Sequence, residues 1–182
     1  AEIDRNQIMS FACCRLPTAE PRELLLSQKI SSESLRLDSL CNVRDGINPG
    51  PRSFREQIVF HAPHAPEKAE PLARGSDVHR YSVDEPKLQV LYDASLLTRD
   101  LRQQGASFRE KWIFEGTKLI SRQTADRLVF AYHQGTLYGL NSCHFTHIEE
   151  PHHSLRFLGA VLNSRLLTWH HRTQSMETRD VF

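Results

Sequence analysis

The 182-residue sequence is poor in several things, and each shortage closes off a class of function. No stretch approaches 18 consecutive apolar residues, so nothing reads as a membrane-spanning helix. The first thirty residues lack a basic start followed by an apolar run, and no secretory signal is legible there. Cysteines number four, Cys13, Cys14, Cys41 and Cys143, without C-x-x-C spacing or a disulfide framework. Free thiols in a reducing cytoplasm are the expectation. There is no P-loop, no G-x-G-x-x-G, no H-E-x-x-H and no G-x-S-x-G elbow, so the sequence offers no recognisable catalytic motif. Lysine is scarce as well: 5 residues against 18 arginines.

What is present fits an ordinary globular chain. A hydrophobic fraction of 39% with 25% charged residues is enough for one domain with a core. The sequence starts at Ala1 without Met and stops at "RDVF", and a piece of a longer polypeptide is expected. Formal net charge is only +1, so bulk charge decides nothing. The arginine excess offers planar donor forks suited to phosphates and guanine edges, although a GC-rich genome would produce the same bias. Local charge is firmer. Between Glu150 and Glu177 no acidic residue occurs, while Arg156, Arg165, Arg172, His152, His153, His170 and His171 do. A one-sided stretch of this kind suits a polyanion.

Along the chain the pattern predicts an α+β fold: an irregular mixed or antiparallel sheet, a few short helices and a C-terminal amphipathic helix. "TAEPRELLLSQK" predicts a short helix capped by Thr18 with Pro21 in its first turn. "LRLDSLCNV" reads as an imperfect half-buried strand, "RDGINPGPR" as a turn or ordered loop, and "EQIVF" as a strand. "HAPHAPEKAEP" reads as an exposed connection, and "KLQVLYD" as a strand with Leu88, Val90 and Tyr92 on one face. In "SFREKWIFE", Ser107 stands three residues before Glu110, a capping-box spacing for a short helix. "TKLISRQT", "RLVFAYH" and "TLYGLNSCHFTHI" read as strands, with turns at Ala125-Asp126 and Gln134-Gly135. Ser154 can cap a final helix in which Leu155, Leu158, Leu162, Leu166 and Trp169 form a core stripe. The echo between "SFREQIVF" and "SFREKWIF" is read as coincidence, because the flanking residues do not match.

Ten histidines invite a metal reading through His61-x-x-His64 and His144-x-x-His147. The first pair sits in a proline-rich loop, the second has opposite strand parity, and no H-E-x-x-H pattern accompanies either; surface histidines are the better reading. Cys143 beside His144 carries no nucleophile geometry by adjacency alone. "KLISRQTADR" (118–127) is more informative, with Lys118, Arg122 and Arg127 in ten residues. On an extended strand Lys118, Ile120, Arg122 and Thr124 share a face, with Leu119, Ser121 and Gln123 opposite. Lys118 and Arg122 then stand about 13 Å apart at ~3.3 Å per residue, a span that fits two phosphate steps of one DNA strand. Gln123 can read an adenine or simply bond across the sheet. Either cation can equally pair with Glu115 or Asp126.

The ordered series "LCNVRDGINPG", "LARGSDVHRY", "KLQVLYD", "FEGTKLISRQTADRLVFAYH", "YGLNSCHFTHI" and "SLRFLGAVLNSRLLTWHHR" resembles the TaqI-like C-terminal specificity domain of adenine-specific DNA methyltransferases and restriction-modification enzymes. The resemblance runs over 35–182, with 1–34 as a lead-in from a preceding methyltransferase domain. It implies a target recognition domain that grips duplex DNA and helps position an adenine for N6 methylation. Catalytic residues and S-adenosylmethionine would belong to the preceding domain, so this chain alone is expected to hold no cofactor and to methylate nothing. The DNA-contact candidates are Arg44, Asn48 and Arg52 around the "DGINPG" loop; Arg74 and Arg80 around "GSDVHRY"; Lys118, Arg122, Gln123 and Arg127; and Asn163 with Ser164. Asn163 and Ser164 are equally readable as buttresses between helix and sheet. The family commonly has Pro before the lysine, where this chain has Thr117, and the segment between "LYD" and "SFRE" is short, so base-reading loops cannot be carried over. The competing readings are a non-DNA interaction module and a histidine-based metalloenzyme.

Overall fold

The computed structural model describes residues 20–148 and 154–174. Its framework is two four-stranded sheets. The first contains β1 (Cys41–Asp45), β7 (Thr117–Arg122), β8 (Phe130–Gln134) and β10 (Cys143–Ile148), in the order β1-β10-β7-β8 with every pair antiparallel. The second contains β2 (Val59–His61), β3 (Glu70–Ala73), β6 (Leu88–Val90) and β9 (Tyr138–Gly139), in the order β2-β6-β3-β9, with β3 and β9 parallel. A small hairpin of β4 (Val78–His79) and β5 (Ser82–Val83) belongs to neither sheet but packs against β7 and β8 of the first. The fold is α+β, as the sequence pattern predicts.

Alternation on β7 explains the layering. Ile120 joins a core shared with Ala131, Cys143 and Phe145 of the first sheet and Leu72, Val90 and Tyr138 of the second. Leu119, one residue away, faces the other side and packs with Phe130 and Leu162. Strand period 2 therefore buries β7 on both faces, which is why Leu119 and Ile120 stand side by side in place of an apolar–polar alternation. Phe114 ties the first core together, with ring centroids 4.6 Å from Tyr138 and 5.0 Å from Phe145.

Five α-helices complete the described chain: α1 (Pro21–Glu33), α2 (Arg52–Ile58), α3 (Arg99–Gln103), α4 (Leu155–Leu162) and α5 (Arg165–Gln174). Helix α1 begins with Pro21 and a reciprocal Glu20/Glu23 capping box; the Thr18 cap lies outside the described residues. It packs on α5, where Ser27 Oγ lies 2.9 Å from His170 Nδ1 and Trp169 Nε1 donates to Glu23 at 3.4 Å. Several expectations need correction. "EQIVF" is mostly the end of α2, with only Val59–His61 extended. "LRLDS" makes a 3-10 turn over Leu37–Ser39 before β1. Ser107 does not cap a helix; its N–H donates to Asn48 O at 2.7 Å, and a 3-10 turn over Lys111–Phe114 starts later. "TLYGLNSCHFTHI" divides into β9 and β10, which belong to different sheets.

The C-terminal helix is also two helices. Ser154 caps the first, accepting from Phe157 N–H at 3.3 Å. Asn163 ends it, and Ser164 accepts from Leu167 N–H at 3.2 Å to start the next. Redirection at Asn163-Ser164 leaves Leu166 exposed, so that residue leaves the predicted core stripe.

Candidate nucleic-acid interface

Residues 74–84 form a projection held by hydrogen bonds at its base, along its strands and at its tip. Its base is a 3-10 turn over Gly75–Asp77, where Asp77 accepts from the Arg74 N–H at 2.8 Å and from its guanidinium at 3.0 Å. Burial alone would raise the Asp77 carboxyl; the Arg74 bonds and charge, with the Ser76 hydroxyl, outweigh it and hold the group below its ordinary range. Gly75 N–H donates to Ser142 Oγ at 2.9 Å. A side chain on Gly75 would stand 2.7 Å from Ser142 O, so the close approach requires glycine. Asp84 N–H returns to Asp77 O at 2.8 Å, and His79 Nε2 lies 2.9 Å from Asp84.

Arg122 anchors this projection from the end of β7. Its Nε donates to Val78 O at 2.7 Å and a terminal nitrogen to Ser76 O at 3.4 Å. Gln123 continues the same junction, its N–H donating to Ser142 O at 2.9 Å while its side chain is exposed. Arg80 at the hairpin tip donates to Asn163 O. Asn163 is fully buried, accepting from Phe130 N–H at 2.9 Å and donating to Phe130 O at 2.7 Å. Arg74, Arg80, Arg122, Gln123 and Asn163 are thus brought to one neighbourhood from three separate segments.

The other positions are elsewhere. Lys118 is fully buried, and its Nζ donates to Gly135 O at 2.6 Å and Gly116 O at 3.2 Å. Desolvation pulls its pKa down to about 8, against a smaller opposing effect of Glu115. The face that Lys118 shares with Ile120 and Arg122 is therefore the core face, and in this conformation the ammonium has no route to a phosphate. Arg44 is exposed on β1 opposite Phe145. Asn48 bonds within its own loop, accepting from Gly50 N–H at 3.1 Å. Arg52 pairs with Glu56 at 2.7 Å on the surface of α2. Arg127 pairs with Asp126, which Arg172 also reaches. Ser164 is occupied as a cap.

The "DGINPG" loop is a structural splice. Ile47 is fully buried, its N–H donates to Gly139 O at 2.7 Å, and Gly46 lies so close to the Leu140 backbone that a Cβ would meet its carbonyl carbon at 2.6 Å. The loop stitches the first sheet to the second. His144 and His147 also take up ordinary roles: His144 lies 3.0 Å from Asp45, and His147 is 3.0 Å from Ile113 O. Cys143 is fully buried, and burial pushes its thiol up to about 12, which removes it as a nucleophile at neutral pH.

Sequence reasoning missed Tyr81 and Ser142. Tyr81 occupies the tip with φ 74°, the only non-glycine residue with positive φ among the described residues. Arg80-Tyr81 carries none of the Gly, Asn, Asp or Pro that mark a turn, so no signal for the hairpin was available. Ser142 is visible only through its long-range bond to Gly75.

No helix among the described residues is long and apolar enough to cross a membrane. No curated protein matches the chain. The family model described as the TaqI-like C-terminal specificity domain matches residues 70–182, from β3 through the C-terminal helices and including the whole projection at 74–84. That match covers more than half of the sequence, and the chain belongs to the TaqI-like C-terminal specificity domain family, the DNA-recognition part of restriction-modification proteins.

Proposed function

We propose that the chain is the target recognition domain of an adenine-specific N6 DNA methyltransferase or of a combined restriction-modification enzyme acting in the cytoplasm. Duplex DNA is its partner, together with a methyltransferase domain of the same polypeptide. Residues 1–34 then connect the two, and 35–182 recognise the site. The sequence holds neither an Asn/Asp-Pro-Pro-Tyr motif nor a glycine-rich S-adenosylmethionine loop. Methyl transfer and its cofactor are assigned to the preceding domain, and this chain contributes binding and register only.

The observation that carries this reading is the family match spanning the 74–84 projection, where arginines from separate segments converge. Phosphate contacts position such a domain while base-edge contacts specify the sequence. Arg80 retains donors beyond its bond to Asn163 O, because a guanidinium has five N–H groups. Gln123, next in sequence to the anchoring Arg122, is exposed. Methylation-site mapping with the full-length protein tests the whole proposal, since it reports activity and recognition sequence together. Adenine methylation at a defined site is the expected result; methylation of cytosine alone, or none, would contradict it.

A second reading, a docking surface for another protein, is favoured by one feature. Phe157 is 71% exposed on α4, and Val161 one turn later is exposed too. Loss of enzyme assembly without loss of duplex binding in a Phe157→Ser variant would assign that face to protein contact.

A further inference from the structure

We propose that Tyr81 is a stacking residue that takes the face of a nucleobase exposed where the bound duplex is opened, with Arg80 beside it for the adjoining phosphate. This inference rests on the DNA-recognition reading and assigns a particular residue to it. Tyr81 is the second central residue of a two-residue turn between His79 and Ser82. Its φ of 74° is the value such a turn reserves for Gly or Asn. An L side chain there crowds its Cβ against the following carbonyl oxygen, so the chain carries a bulky aromatic where glycine would be more stable. Packing does not explain it: the residue is 59% exposed. Strain held at an exposed position by an over-determined surround is how functional residues are commonly kept.

The surround is over-determined. Tyr81 N–H donates to Phe130 O at 2.9 Å, and that carbonyl is also held by Asn163 Nδ2 at 2.7 Å. Arg122 fixes Val78, and Arg80 is tied to Asn163 O. The tip is therefore a rigid mount, the arrangement that a precise contact requires. The Arg80 guanidinium carbon stands 5.6 Å from the Tyr81 ring centroid. An aromatic face flanked by a cation matches a nucleotide whose base is unstacked: the ring meets the base and the guanidinium meets the phosphate. A paired base inside an intact stack has no free face, so the partner is DNA with a locally opened step.

The experiment compares the 182-residue chain with its Tyr81→Phe, Tyr81→Gly and Tyr81→Asn variants. Each is titrated against a labelled 20-base-pair duplex and against the same duplex carrying one mismatch, while thermal unfolding is recorded. Wild type and Tyr81→Phe should prefer the mismatched duplex. Tyr81→Gly and Tyr81→Asn should lose about 5- to 150-fold on that duplex, the equivalent of one base–aromatic stack. Their melting temperatures should be unchanged or higher, because both residues accept positive φ. Wild-type affinity in both the Gly and Asn variants, or no mismatch preference in wild type, would overturn the stacking role and leave DNA recognition standing. Failure of the wild-type chain to bind either duplex would overturn DNA recognition by the isolated chain, and the stacking role with it.

Discussion

The two ends of β7 treat a cation in opposite ways. At the first end Lys118 is withdrawn into the core, its charge met by the carbonyls of Gly116 and Gly135. At the last end Arg122 is half-buried and spends its donors on Val78 and Ser76, two carbonyls of a projecting hairpin. Both side chains lie on the same face of the strand, four residues apart. What separates them is the neighbour. The Lys118 end is closed by the Gly116 and Gly135 turns, whereas the Arg122 end opens onto a structure that carries Arg80 and Tyr81 into solvent. An arginine at the end of a strand need not be free for a ligand; Arg122 acts by holding the hairpin in place.

Breaking the lock under the hairpin should have the largest effect. Asn163→Ala removes both bonds to Phe130 and leaves its buried N–H without that acceptor, which should cost about 2–4 kcal/mol in denaturant unfolding. Asn163→Asp keeps the acceptor and loses the donor, and should be intermediate. Arg122→Ala should cost less in global stability, about 1–2 kcal/mol, yet speed amide exchange through 75–84 and weaken duplex binding. Equal exchange in that segment would show that the hairpin stands without its anchor.

Lys118 gives a subtler contrast. With a folded pKa near 8 against an ordinary 10.5, it binds fewer protons folded than unfolded between those values. Stability should therefore rise as pH climbs from about 8 to 10.5, and the slope from this group should vanish in Lys118→Met. Duplex affinity of that variant at neutral pH should stay within about twofold of wild type, since the ammonium makes no outward contact. The smallest effect belongs to Arg52→Ala, which removes an exposed i,i+4 pair with Glu56 and should change stability by at most about 0.5 kcal/mol.

The same contrast shows what could be read from residues alone. Strand parity correctly grouped Lys118, Ile120 and Arg122 on one face, because period 2 is a property of the extended backbone. It could not say which face was core, since β7 is buried on both sides and presents no polar alternation at Leu119–Ile120. The α+β class and the Leu88–Val90 strand were legible for the same local reasons. The break at Asn163-Ser164 was not, because it is set by Asn163 reaching the Phe130 backbone 33 residues away in sequence. Nor was the Tyr81 tip, whose backbone is bent by long-range bonds and not by its own preference.

Amide exchange on the 182-residue chain, with and without a 20-base-pair duplex, tests the division between the two ends of β7 most directly. Slowed exchange is predicted across residues 74–84 and at Gln123, with no change around Gly116 and Gly135. Protection around Lys118 and its two carbonyl partners, with none at the hairpin, would contradict the account.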